Sequence, residues 1–153
     1  MTAAFAVSGL CKRYPQFELK DLNLSLPEGT VMGLVGVNGA GKTTLLRLLT
    51  GIAAPDAGQV EVLGRRLPEA QVAAKRDIGF ASEDMRLYRS QSLDWHMQLM
   101  RQIYPAWDES YAQHLIQRFD LNPAQALAGF SHGQRVKALL MLCLARRPRL
   151  FLL

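Results

Sequence analysis

Cysteine is almost missing from this 153-residue chain. Cys11 and Cys143 lie far apart and cannot make the disulfide framework of a small secreted domain, so the natural compartment is a reducing cytosol. Long apolar runs are missing too: the stretch from Ala138 to Ala145 falls well short of the about 20 residues a membrane span needs. The N-terminus has an apolar stretch with no basic residue ahead of it, which argues against a signal peptide. His96, His114 and His132 belong to no Cys/His group with ligand spacing and sit beside no nucleophile, so no zinc site is expected. No repeat period or low-complexity tract suggests a solenoid or a disordered tail.

Charge of one sign is not concentrated anywhere. The net charge of +5 comes from scattered residues such as Arg65, Arg66, Lys75, Arg76, Arg86 and Arg89, with no basic stripe interleaved with aromatics. No nucleic-acid partner is expected from that pattern, whereas attraction to phosphate remains open. The hydrophobic fraction of 49% and charged fraction of 20% are those of an ordinary globular chain with one domain's length.

What is present begins as β. Leu22, Leu24 and Leu26 alternate with Asn23 and Ser25, the two-residue period of a half-buried strand. "PEG" turns the chain, and "TVMGLVG", Thr30 to Gly36, predicts a short apolar strand. A glycine-rich loop follows and opens a helix, "KTTLLRLLTG", with Gly51 as its C-terminal cap. "APDAGQVEVLG" predicts a turn and a strand, "PEAQVAAKR" a short helix with Pro68 in its first turn, and Ile78 to Ala81 a strand. Helical spacing then takes over. Leu93, Met97, Met100 and Tyr104 share one face; Tyr111, Leu115 and Phe119 share another behind an Asp108 cap. A third helix opens at Ser131 and stops before Pro148. Leu150 to Leu153 reads as a strand buried on both faces.

"GVNGAGKT", Gly36 to Thr43, fits the phosphate-loop pattern G-x-x-x-x-G-K-[ST]. Gly36, Gly39 and Gly41, with Asn38 and Ala40 between them, let backbone N–H groups turn inward into an anion-binding nest. The helix behind presents its positive dipole end to the same phosphates through Thr43 and Thr44. Lys42 supplies a cation for the β- and γ-phosphates, and the Thr43 hydroxyl is placed for Mg²⁺.

Three further segments make the chain resemble the ATP-binding subunit of an ABC transporter. "FSHGQR" is similar to the family signature LSGGQ, with Ser131, Gly133 and Gln134 matching, Phe130 replacing leucine and His132 replacing a variable glycine. Tyr14 resembles the aromatic residue that stacks on adenine; alone, a tyrosine there reads as core or surface. "IGFASED" aligns with a strand usually followed by a glutamine that reaches Mg²⁺ and the attacking water. Glu83 stands there, and a carboxylate either takes over the metal role through oxygen or is a surface acid.

The resemblance implies an α/β fold: a P-loop NTPase sheet with an N-terminal antiparallel β portion (1–83), a helical portion carrying the signature (84–145), and the start of the Walker B strand (149–153). It further implies ATP and Mg²⁺ as cofactors, with Lys42 and Glu83 catalytic. A second ATPase subunit would sandwich ATP against Ser131 and Gly133, and a separate membrane permease would be moved. The location implied is the inner face of the cell membrane, with no span of its own. In the family the strand at Leu150 leads into an aspartate and a glutamate, one residue beyond Leu153, so the expectation is a truncated domain without turnover alone. The alternatives are a non-catalytic nucleotide-binding fragment, or another phosphate-loop enzyme; the absence of Asn-Lys-x-Asp counts against a GTPase.

Overall fold

The computed structural model describes residues 3–82 and 85–153 and resolves into two compact units, Met1–Ile78 and Gly79–Leu153. The first is built on an antiparallel sheet. Strands β1 (Ala3–Tyr14), β2 (Phe17–Pro27), β3 (Ala57–Val62) and β4 (Arg65–Leu67) lie in the order β2-β1-β3-β4. The alternation along β2 holds: Leu22, Leu24 and Leu26 are more buried than Asn23 and Ser25. Between Val7↔Leu24 and Leu10↔Leu22 one extra residue is accommodated in β1. This bulge uses Gly9 at φ +59, whose N–H donates to Asn23 Oδ1 at 2.8 Å. Opposite it, Gly58 has φ +87, and a Cβ there would stand 2.3 Å from the Gly9 carbonyl oxygen, so the backbones approach too closely for any other residue.

Helix α1 (Lys42–Leu49) lies against β3 and buries Leu45, Leu48 and Leu49. It ends as its sequence predicts, with Gly51 left-handed at φ +67 just past the last turn. Helix α2 (Gln71–Asp77) lies against β4. It begins later than "PEAQVAAKR" suggests: Pro68 follows a cis bond and sits in the turn before the helix, because β4, a three-residue strand with no clear alternation, takes up the preceding chain.

The strand predicted for Thr30 to Gly36 is not formed. These residues have no regular structure, and Val31 and Val35 are 99% and 96% exposed. The reason is pairing. A strand's N–H and C=O groups need a ladder on at least one side, and among the described residues no strand pairs with this segment. Apolar composition alone cannot make a strand.

In the second unit, β5 (Ile78–Phe80) pairs with β6 (Leu150–Leu152). Three helices, α3 (Leu93–Ile103), α4 (Glu109–Phe119) and α5 (His132–Leu144), surround an apolar core that includes Leu93, Met97, Leu115, Leu127, Phe130 and Met141. Leu93, Met97, Met100, Tyr111, Leu115 and Phe119 face it, whereas Tyr104 lies just past α3 with the Arg146 guanidinium 3.5 Å from its ring centroid. Asp108 caps α4 as the sequence puts it, accepting from Tyr111 N–H at 2.8 Å, and Ser92 caps α3, accepting from Trp95 N–H. A 3₁₀ turn, Leu127–Gly129, leads into α5. Cys143 is buried, its thiol pushed up by that burial, with Sγ donating to the Phe80 carbonyl. Among the described residues no helix is long and apolar enough to cross a membrane.

Between α3 and α4 one carboxylate collects four donors. Arg101 engages Glu109 through Nε at 2.6 Å and Nη2 at 2.8 Å, and Trp107 Nε1 and Gln113 Nε2 donate to the same group. The Arg101 guanidinium is the main cause of the Glu109 carboxyl lying at about 2, below its ordinary 4.5. A depressed folded value means the stabilisation is complete above the unfolded value and fades as pH falls toward the folded one. About half of the side chain is exposed, which screens the pair. Glu109→Gln is expected to lower the melting temperature at pH 7 by about 3 °C, a difference that shrinks as thermal scans move from pH 5 toward pH 2.

Candidate functional site

The loop ahead of α1 is a tight turn. Ala40 N–H donates to the Val37 carbonyl at 3.1 Å, with Gly39 at φ +85 inside the turn. That conformation favours glycine, and a Cβ at Gly39 would point into open space, toward any ligand lying over the loop. Gly41 is more constrained. It is the N-cap of α1 at φ +98, and a Cβ on it would come within 2.7 Å of Phe17 Cζ and 3.3 Å of Leu19 Cδ1. At Gly36 a Cβ would press on Ala40 Cβ at 3.1 Å.

The chemistry of the loop follows from what it leaves open. A glycine N-cap has no side-chain oxygen, so α1 has no side-chain cap bond, and no acidic residue sits in its first turn. The amides of Lys42, Thr43 and Thr44 precede the first intrahelical bond, Leu45 N–H to Gly41 carbonyl. They are donors at the positive end of the helix dipole. Lys42 folds back over the loop: Nζ donates to the Gly36 carbonyl at 2.6 Å and to that of Val37 at 2.9 Å. An ammonium has three donors, so one remains for an anion above the turn. Thr43 is exposed on the first turn. Asn38 and Ala40 complete the loop.

Tyr14 belongs to the same unit. It pairs with Phe17 across the β1-β2 hairpin, and Phe17 is the residue whose ring abuts Gly41. The ring is 40% exposed, with Lys12 Nζ 5.6 Å from its centroid. Lys12 is in turn held by Asp56 at 2.9 Å. The contact by Phe17 was not legible in the sequence, because a hairpin's first aromatic carries no mark of what lies beneath it.

In the second unit Ser131 and Gln134 form a reciprocal capping box. Gln134 N–H donates to Ser131 Oγ at 3.1 Å, and Ser131 N–H donates to Gln134 Oε1 at 2.8 Å. The Gln134 side chain is therefore turned back on its own helix. Ser131, His132 and Gly133 are exposed, and a Cβ at Gly133 would touch nothing within 4 Å. Phe130, where the signature has leucine, is 3% exposed and belongs to the helical core. The turn is thus anchored by its first residue and open over the next three. Glu83 lies outside the described residues.

The family model described as ABC transporter matches residues 19–153. The chain belongs to the ABC transporter family. It is 32% identical to the ABC transporter ATP-binding protein YtrB of Bacillus subtilis (strain 168), over 88% of this chain and 46% of that protein. It is 31% identical to the daunorubicin resistance ATP-binding protein DrrA3 of Streptomyces coeruleorubidus, over 98% of this chain and 49% of that one. A solved structure of the ATP-binding subunit of an ABC transporter superposes with a TM-score of 0.86 at 25% identity, over 97% of this chain and 64% of its own. The chain spans about half the length of the curated relatives it matches.

The fold is accordingly the P-loop NTPase type of ABC ATP-binding subunits. For this ABC chain, Gly41→Ala combines a side-chain clash with a disfavoured φ, and it is expected to destabilise the first unit by roughly 2 kcal/mol or more in denaturant unfolding. Adding Phe17→Ala removes the clash and leaves the φ strain, so the double variant should recover only part of the loss.

Proposed function

We propose that this chain is the ATP-binding part of an ABC transporter subunit, in which residues 36–44 hold the phosphates of ATP. The observation that carries this reading is the open row of amides at the start of α1, with Lys42 Nζ turned over the same loop. Backbone N–H groups arranged in that way are fixed partial positive charges, and no protein carboxylate in the first turn competes for them.

Each of the other residues has a task in this reading. The exposed Tyr14 ring offers a flat face to adenine, which suits base tolerance more than sharp selectivity. Thr43 supplies one hard oxygen, in keeping with Mg²⁺, which keeps waters and takes its other ligands from phosphate. The ion, when bound, neutralises charge on the phosphates; a metal role for Glu83 is read from the resemblance alone.

Ser131 and Gly133 are read as the surface presented to ATP held by a second subunit, since both are exposed at the start of α5. The sulfate/thiosulfate import protein CysA of Synechocystis, 30% identical over 96% of this chain and 43% of that protein, is named for import, and DrrA3 is named for drug resistance. The roles named therefore differ among relatives of similar identity. In this reading the partner is a membrane permease, and the chain works at the cytoplasmic face of a membrane.

Lys42→Ala should weaken ATP binding to the full-length protein by at least roughly tenfold in a calorimetric titration while leaving the circular dichroism spectrum unchanged. Unaltered affinity would remove the phosphate-loop assignment.

A further inference from the structure

We infer that His96 is a positioning residue: in its neutral form it holds the segment 85–91 to the start of α3, and through it the turn that carries the signature. His96 is 4% exposed. Its Nδ1 stands 2.8 Å from the Ser92 carbonyl oxygen, which can only accept. Its Nε2 stands 3.1 Å from the Tyr88 N–H, which can only donate. One tautomer satisfies both, with hydrogen on Nδ1 and a lone pair on Nε2. Rings enclose it: Trp95 meets it edge-on at 5.1 Å and Tyr88 at 5.6 Å, while the Tyr88 ring lies 6.2 Å from the imidazole.

What His96 holds is tied directly to the signature. Ala128 N–H donates to the Arg89 carbonyl at 2.7 Å, Leu127 N–H to that of Gln91 at 3.0 Å, and Ser92 bridges Ala126. Leu127 opens the 3₁₀ turn that delivers Phe130 to the core and Ser131 to the surface. Residues of the segment, Arg86, Leu87 and Arg89, line a groove of about 470 Å³ together with His132 and Arg135 of the signature turn. One histidine thus joins the stretch after Glu83 to the residues proposed to meet ATP.

The consequence for nucleotide handling rests on the reading above; the link itself does not, and the test is made without nucleotide. It is the amide exchange of Tyr88 in the full-length protein at one pH, in the native chain and in two variants. His96→Phe, which keeps a ring and loses both polar contacts, should exchange roughly tenfold faster, with amides in the middle of α5 unaffected. His96→Gln, whose amide again offers a donor and an acceptor, should restore much of the protection. A folded His96→Phe as protected as the native chain would overturn the inference, as would a native Tyr88 amide with no protection. If His96→Phe fails to fold, the native protection and the His96→Gln variant decide. Loss of ATP binding in Lys42→Ala leaves this measurement unchanged, so the two readings fail separately.

Discussion

A buried or half-buried N–H must find an acceptor, and the start of a helix has several that cannot find one in their own helix. Three of the described helices, α3, α4 and α5, resolve that need with a side chain: Ser92, Asp108 and Ser131 each accept from an amide three residues on. At α1 the cap is Gly41, which has nothing to offer. Its φ of +98 and the Phe17 ring against it keep the position glycine, so the amides stay open. Everything proposed for the first unit depends on that deficit. Lys42 does not relieve it, because its ammonium is another donor and is already spent in part on two carbonyls of the loop.

The second unit treats the same problem in the opposite way. Its signature turn is fully capped: Ser131 and Gln134 satisfy one another, Arg135 Nη1 donates to the Phe130 carbonyl, and Phe130 is fixed in the core. The result is a rigid turn whose outward surface at Ser131 to Gly133 is not consumed by internal contacts. A pre-set surface of this kind loses little entropy when it meets a ligand. The hydrogen bonds from Leu127 and Ala128 to the segment before α3 extend that rigidity backward, and His96 is where it ends.

Much of this was legible before any coordinates. The phosphate loop, the caps at Asp108 and Ser131, the glycine after α1 and the apolar faces of α3 and α4 are local features, written in residues a few positions apart. The alternation of Leu22, Leu24 and Leu26 likewise survives because β2 has a partner in β1. Thr30 to Gly36 was misread for the complementary reason: its composition suits a buried strand, but pairing is a property of two segments, and composition reports only one. Phe17 against Gly41 and His96 beneath Tyr88 were invisible on the same ground, since each meaning lies in a contact with residues 24 and 8 positions away. Glycine spacing marks the tight loop ahead of α1; the Phe17 ring that braces it carries no such mark.

The central claim is that the open amides at the start of α1, with the glycine loop ahead of them, receive the phosphates of a nucleotide. Its most direct test is a titration of the isotopically labelled full-length protein with Mg-ATP, following backbone amide resonances. Saturable shifts centred on Gly39, Gly41, Lys42 and Thr43, reproduced by Mg-triphosphate without the base, are the predicted result. Nucleotide that binds while these amides keep their positions in the spectrum would contradict the account.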